Sequence, residues 1–214
     1  MLDSVIKYLP GLLSGTAVTL RLFIITLVLS LPLGFILAQV RMSRSRIVQV
    51  ICKGYIWVLR GSPLVLQVVA VYFGLGRLRI PIDRFSAACL AFVLNYAAYL
   101  AEIFRGGIES IDRGQHEAAS VLGLTRIQTA IHIILPQAMK RCVPAIGNEA
   151  IILIKDTALV YVIGIADLLR TATNFSIKDF DMTPLLVAAV FYLAMTFVME
   201  RVIAFVEKRL AYYE

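Results

Sequence analysis

Charged side chains are scarce in this 214-residue sequence, since aspartate, glutamate, lysine and arginine make up 16% of it. Soluble domains carry about 25% charged residues, whereas 60% of this chain is apolar and its mean hydropathy is +0.84. The apolar content excludes a disordered chain, because disordered chains have few such residues. It also argues against a water-soluble globular domain. The composition therefore predicts an integral membrane protein.

Cysteine and histidine are scarce as well. Cys52, Cys89 and Cys142 lie 37 and 53 residues apart, which excludes a disulfide framework and a cysteine metal site. His116 and His132 also lack metal-ligand spacing. The chain contains no G-x-x-x-x-G-K-[ST] phosphate loop and no G-x-S-x-G serine motif. We therefore expect no metal or cofactor bound by this chain, and we expect no intramembrane hydrolase.

Five apolar stretches are long enough to cross a bilayer, which takes about 20 residues. They cover residues 16–40, 54–75, 85–104, 143–165 and 183–202. Because the stretches are continuous and do not alternate, they predict an all-α membrane protein with five transmembrane helices in one domain, 1–214. Arg60, Gly61 and Pro63 interrupt the second stretch, and Pro10-Gly11 predicts a separate short interfacial helix before the first.

The lysines and arginines predict the orientation of the helices. Twelve of them collect at one side of the predicted membrane and six at the other. The more positive side is expected to be cytoplasmic, which places the N-terminus outside and the C-terminus in the cytoplasm. The net charge of +7 therefore reflects membrane topology, and we expect no nucleic-acid partner.

The connection between the third and fourth stretches, residues 105–142, is much longer than the other connections. Its pattern predicts two short helices, the first ended by Gly123 in the left-handed conformation. Thr125 and Gln128 form a capping-box pattern that begins the second, and Pro136 is expected to break it. The second helix carries an apolar stripe at helical spacing, formed by Ile127, Ala130, Ile131 and Ile134.

The run EAASVLGLTRIQTAIHIILP (117–136) resembles the signature loop of the permease subunits of ABC importers. The matching positions are Glu117, Ala118, Ala119, Gly123, Ile133, Leu135 and Pro136. Three further stretches are similar to the polar amino-acid branch of that family: LRGSPLVLQ (59–67), FRGGIESI (104–111) and GNEAIILIKDTALVYVIGIADL (147–168).

This resemblance implies that residues 117–136 form a coupling helix bound in a groove of a cytoplasmic ATPase. The expected ATPase-coupling residues are Glu117, Ala118, Ala119, Gly123, Leu135 and Pro136. It further implies two ATPase subunits that use ATP and Mg, a second permease copy or similar chain, and an extracytoplasmic amino-acid-binding protein. The chain would then lie in the cytoplasmic (inner) membrane of a prokaryote. From the residues alone, an amphipathic hairpin on the membrane lipid is the alternative for this loop.

Polar residues inside the apolar stretches are candidates for binding a substrate. Glu149 and Asp156 are seven residues apart, which places them on one helix face about 10 Å apart. Two carboxylates favour cationic groups, whereas Arg60 is suited to an α-carboxylate. Asn95 and Tyr99 are expected to add neutral hydrogen bonds. The resemblance implies a small amino-acid site at about this place in the membrane.

Three alternatives remain open at this point, one of which is a ligand-gated channel. The charges at Arg60, Glu102, Glu149, Lys155 and Asp156 would also suit a purely structural ion-pair network, with Glu102 pairing with Arg105 in preference to substrate. The intramembrane carboxylates would also suit a secondary amino-acid transporter driven by an ion gradient. The sequence identifies neither the amino acid nor whether the permease dimer is homomeric.

Overall fold

The computed structural model describes residues 2–210, and within that range every regular element is a helix. The α-helices are α1 (Leu2–Arg41), α2 (Arg46–Gly61), α3 (Leu64–Arg77), α4 (Arg84–Glu109), α5 (Arg113–Val121), α6 (Arg126–Gln128), α7 (Leu135–Asp156), α8 (Leu168–Asp179) and α9 (Thr183–Leu210). A π-helical segment (Thr129–Ile134) joins α6 to α7, and a 3₁₀ segment (Thr157–Ile163) follows α7. The predicted all-α fold class is confirmed.

The number of apolar spans is smaller than the sequence predicts. Helices α1, α4 and α9 are each long and apolar enough to cross a membrane. The pair α2–α3 qualifies only when taken together, and it is bent by 108°. Within residues 2–210 this makes three candidate spans, or four with the bent pair, against five predicted. The missing one is α7, which carries five charged side chains.

The second predicted span is not a single helix. Helix α2 ends at Gly61, and Ser62 is extended (φ −115°, ψ 148°) before α3 begins at Leu64. The cause is Pro63, whose ring disfavours the helical conformation of the residue before it. The interruption seen in the sequence is therefore a sharp break of the helix.

The predicted break at Pro10 is wrong, because α1 runs through it. Tyr8 and Leu12 are buried in a cluster with Leu168 and Ala188. This packing against α8 and α9 stabilises the helix around the proline. Packing by neighbouring helices is also what makes proline tolerable in membrane helices.

Helix α4 is the centre of the fold and packs against α1, α2, α3 and α7. Its small residues allow this: six alanines are buried, namely Ala87, Ala88, Ala91, Ala97, Ala98 and Ala101. Helix α1 approaches α4 closely at Gly34, where an added Cβ would lie 2.6 Å from the Cβ of Leu100. Phe92 of α4 is fully buried in the largest apolar cluster, which also includes Leu22 and Phe23 of α1.

A polar contact fastens the N-terminal part of α1 to the end of α8. The Lys7 ammonium lies 2.6 Å from Oδ2 of Asp179, and the Tyr8 hydroxyl donates to the same oxygen at 2.7 Å. The hydrogen bond from Lys7, and to a smaller extent that from Tyr8, lowers the pKa of Asp179 below its ordinary value.

We predict that Gly107→Ala destabilises the protein, whereas Gly106→Ala does not. The two glycines are neighbours on α4, but a Cβ at Gly107 would clash with Sγ of Cys142 and lie 3.2 Å from the carbonyl oxygen of Ala138, whereas a Cβ at Gly106 meets no neighbour within 4 Å. Overpacking of this kind costs about 1–3 kcal/mol. Thermal unfolding of the purified chain in detergent checks the difference, and equal unfolding temperatures for the two variants would contradict it.

We also predict that the contact at Asp179 depends on pH. Because the pKa of Asp179 is lowered in the folded state, its stabilising effect is fully present above the ordinary pKa of about 3.9 and is lost as the pH falls through the folded value. Asp179→Asn should therefore speed hydrogen exchange in α8 at pH 7. The substitution should have little effect at a pH below the folded-state pKa of Asp179, where the carboxyl group is protonated in the unsubstituted protein as well. An equal effect of the substitution at both pH values would refute the prediction.

Candidate functional site: an intramembrane cavity and a helical loop

A cavity of about 570 Å³ lies between the α2–α3 bend, α4 and α7. All five residues that the sequence predicts for substrate binding line it: Arg60, Asn95, Tyr99, Glu149 and Asp156. Its volume falls within the range of about 300–1,000 Å³ that is usual for small-molecule sites. Residues from three separate parts of the sequence therefore meet around one space.

The acidic wall of the cavity belongs to α7. Glu149 and Asp156 line the same cavity, as their seven-residue spacing predicts, and both are half-buried. The Tyr96 hydroxyl donates to Oδ2 of Asp156 at 2.8 Å and holds that carboxylate in place. Sequence reasoning missed Tyr96, although its spacing of three residues from Tyr99 on α4 places both on one face.

The opposite wall is the break between α2 and α3. Here Gln67 donates from Nε2 to the carbonyl oxygen of Leu59 at 2.8 Å and to Oγ of Ser62 at 2.9 Å. Asn95 donates from Nδ2 to Leu59 at 2.9 Å and to Oε1 of Gln67 at 3.0 Å. The amide nitrogen of Asn95 therefore fastens the break. A hydrogen bond from Asn95 to substrate stays a prediction, and it would use the amide oxygen.

Helix α3 begins at the cavity and contributes backbone donors. Its first hydrogen bonds run from the N–H groups of Leu66 and Gln67 to the carbonyl oxygen of Pro63. The N–H groups of Leu64 and Val65 precede these bonds and have no acceptor within the helix. Together with the dipole of α3, they make this wall favourable for a negative group. The break at Pro63 was visible in the sequence, but this use of it was not.

Arg60 lies on the same wall, at the end of α2. Its guanidinium carbon is 5.1 Å from the centre of the Tyr99 ring, which is a cation–π distance. Arg60, Glu149 and Asp156 form no ion pair within 4.0 Å with any of residues 5–210. The cavity therefore keeps positive charge on one wall and negative charge on the other.

The expected structural pairing of Glu102 is confirmed. Its carboxylate lies 2.6 Å from Arg105, three residues further along α4. It also approaches Arg41 of α1 at 3.7 Å. Glu102 therefore belongs to a separate ion-pair cluster that joins the ends of α1 and α4.

The loop 105–142 forms the predicted turn between its two helices. Helix α5 ends before Gly123, which has φ +73°, and the N–H groups of Gly123 and Leu124 donate to Ser120 and Ala119 at 3.0 Å. This is the hydrogen-bond pattern of a glycine-terminated helix. The capping box is also present, since Thr125 and Gln128 each accept from the other's backbone N–H.

The predicted break at Pro136 is wrong. Residues 126–163 are helical without interruption, passing from α6 through the π segment, α7 and the 3₁₀ segment. Pro136 lies in the first turn of α7, directly after the π segment. The wider π turn accommodates the position where proline lacks an N–H and cannot donate the usual α-helical bond.

The predicted coupling residues differ in their exposure. Glu117, Ala118, Gly123 and Pro136 are exposed and Leu135 is half-buried, whereas Ala119 is buried. The predicted stripe is divided in the same way, because Ile134 is buried. Four large apolar side chains remain exposed and form what we call the coupling patch: Val121 (88%), Leu122 (77%), Ile127 (72%) and Ile131 (53%).

Comparisons with known proteins agree with this architecture. The arginine transport system permease protein of Bacillus subtilis is 39% identical over 210 residues, covering 97% of this chain and 96% of that protein. The glutamine transport system permease protein of Escherichia coli K12 is 37% identical over 205 residues, covering 94% of each chain.

Solved structures of ABC transporters are also similar to this chain. The crystal structure of an amino acid ABC transporter with histidines matches with a TM-score of 0.90 and 36% identity, over 98% of both chains. An inward-facing methionine ABC transporter shares the fold, with a TM-score of 0.77 at 18% identity. Residues 30–212 match the family described as the binding-protein-dependent transport system inner membrane component. The chain is therefore a multi-pass membrane protein that belongs to this family, within its polar amino-acid ABC permeases.

Proposed function

We propose that this chain is the permease subunit through which an ABC importer carries polar, and preferentially basic, amino acids across the cytoplasmic membrane of a prokaryote. The observation that carries the proposal is the cavity with two carboxylates on one wall and Arg60 on the other. Similarity to an arginine permease supports the preference for a basic substrate.

The cavity suits an amino acid in its dipolar form. The α-carboxylate would bind Arg60 and the first N–H groups of α3, because half-helix N-termini at the membrane centre favour anionic groups. The α-ammonium and a basic side chain would bind Glu149 and Asp156. Tyr99 and the oxygen of the Asn95 amide would add neutral hydrogen bonds. In this arrangement each wall binds one end of the amino acid, so the α-carboxylate and the α-ammonium both have a partner of opposite charge.

The proposed topology has five crossings, with the N-terminus outside and the C-terminus in the cytoplasm. The crossings are α1, the α2–α3 pair, α4, α7 with its 3₁₀ extension, and α9. Helix α7 crosses in spite of its charges because it packs against α4 and α9 within the bundle. Polar groups in membranes are usually found on such protected faces.

Transport would be driven by partner proteins. In this proposal the coupling patch binds one of two cytoplasmic ABC ATPase subunits, which hold the ATP and Mg, while this chain binds no cofactor. A second permease copy or a similar chain would complete the pathway, and an extracytoplasmic binding protein would deliver the amino acid. Membership of a binding-protein-dependent family favours this arrangement over an ion-driven secondary transporter.

We predict that Glu149→Gln reduces arginine uptake by about tenfold or more, since a hydrogen bond to a charged group contributes about 1.5–3 kcal/mol. The measurement is ATP-driven uptake into proteoliposomes that contain the permease, its ATPase and its binding protein. The control is Glu207→Gln, which removes an exposed carboxylate of α9 far along the sequence from the cavity residues. Equal uptake by both variants would exclude Glu149 from the substrate site. Uptake that persists without any ATPase would contradict the importer itself.

We predict that Gly123→Val uncouples transport, whereas Gly123→Asn largely preserves it. The residue has φ +73°, a conformation that asparagine tolerates but that strains a β-branched residue by about 1–3 kcal/mol. We expect the valine variant to lose at least about fivefold in ATPase capture and in ATP-driven uptake. Full activity of the valine variant would mean that this turn has no part in coupling.

A further inference from the structure

A second cavity, of about 630 Å³, lies between α5, the π segment and α7. We call it the basic groove. Its polar lining includes His132, Gln137, Lys140 and Arg141, and its apolar lining is Ile133 and Pro136. None of these residues belongs to the substrate cavity. Pro136 is also an expected ATPase-coupling residue, but the proposed function gives the two cations of the groove no role.

The charge of the basic groove is of one sign. No aspartate or glutamate is among its lining residues. Arg141 uses one N–H to donate to the carbonyl oxygen of Ser110, and its planar guanidinium has four more donors. The half-buried Lys140 has no hydrogen bond or ion pair of its side chain with any residue between 5 and 210. The groove therefore offers two cations to an anionic group.

The groove is also built as a defined shape. Gln137 donates from Nε2 to Oε1 of Gln115 at 3.2 Å and to the carbonyl oxygen of Ile133 at 2.9 Å. The bond to Gln115 ties α5 to the start of α7 and sets the width between the two walls, and the bond to Ile133 holds the Gln137 side chain against its own helix. Lys140 follows Pro136 and Gln137 by about one helical turn, so these residues lie along one side of α7.

The position of the groove indicates the source of the anion. Lys140 and Arg141 directly precede the apolar stretch 143–165, on the side that the proposed orientation makes cytoplasmic. This is the depth of the lipid headgroups, where basic pockets beside membrane helices bind anionic lipids. Ile133 and Pro136 supply apolar contact beside the charges, which a free inorganic anion does not need.

We propose that the basic groove binds the phosphate group of an anionic phospholipid from the cytoplasmic leaflet, with Lys140 and Arg141 as its cationic ligands. The location of the groove rests on the orientation given under the proposed function, but the binding does not depend on transport. A lipid held here would lie against both α5, which ends at Val121 of the coupling patch, and α7, which carries Glu149.

The test is lipid retention by the purified permease–ATPase complex, measured by native mass spectrometry after incubation with phosphatidylglycerol or with phosphatidylcholine. We expect retained phosphatidylglycerol, no retained phosphatidylcholine, and no displacement by excess inorganic phosphate. Lys140→Gln should reduce the retained phosphatidylglycerol about fivefold, as expected for one cation at an anionic lipid surface. Lys53→Gln is the matched control, because it removes an exposed cation of α2 outside the groove.

Three results would overturn the proposal. Equal retention by the Lys140 and Lys53 variants would show that the groove is not the lipid site. Displacement of the lipid by inorganic phosphate would identify a free phosphate as the ligand. Loss of ATPase from the Lys140 variant with lipid retention unchanged would assign the groove to a protein contact. None of these results bears on whether the chain transports amino acids, which the uptake measurement decides separately.

Discussion

The fold depends on a constraint of the bilayer, which contains no water to satisfy a backbone group that has lost its helical partner. The break between α2 and α3 releases such groups in the middle of the protein. Asn95 and Gln67 satisfy the carbonyl oxygen of Leu59 from the side, at 2.9 and 2.8 Å. Because these bonds hold the break open at a fixed angle, the protein keeps a cavity beside it, and the first N–H groups of α3 remain available to a ligand.

The uninterrupted helix from residue 126 to residue 163 connects the two regions to which we propose functions. It begins with Ile127 and Ile131 of the coupling patch, and further along it carries Glu149 and Asp156 into the cavity. A packed helix transmits displacement because its interior is not easily compressed. A movement applied at the patch therefore reaches the acidic wall of the cavity through one covalently continuous element, without passing across a flexible linker.

Local patterns predicted much of this structure because their physical causes lie close together in the sequence. The capping box of Thr125 and Gln128 and the left-handed Gly123 each depend on a few neighbouring residues, and both are confirmed. Four of the five cavity residues could be named because charge and amide groups are rare in apolar stretches, and Tyr99 because it lies four residues from Asn95. Pro10 and Pro136 misled the prediction, since helix breaking there is overridden by packing of Tyr8 and Leu12 and by the π segment. Tyr96 was missed because only the fold shows that it meets Asp156.

The composition of α7 has a consequence for biogenesis. With five charged side chains in 22 residues, this helix does not partition into lipid on its own, since each such group costs about 2.5–3.5 kcal/mol at the centre of an isolated inserting segment. Gly147 allows it to pack closely against Ile203 of α9. In the proposed five-crossing topology, insertion of α7 would therefore depend on its packing against α4, which is synthesised before it, and against α9, which emerges from the ribosome only after it.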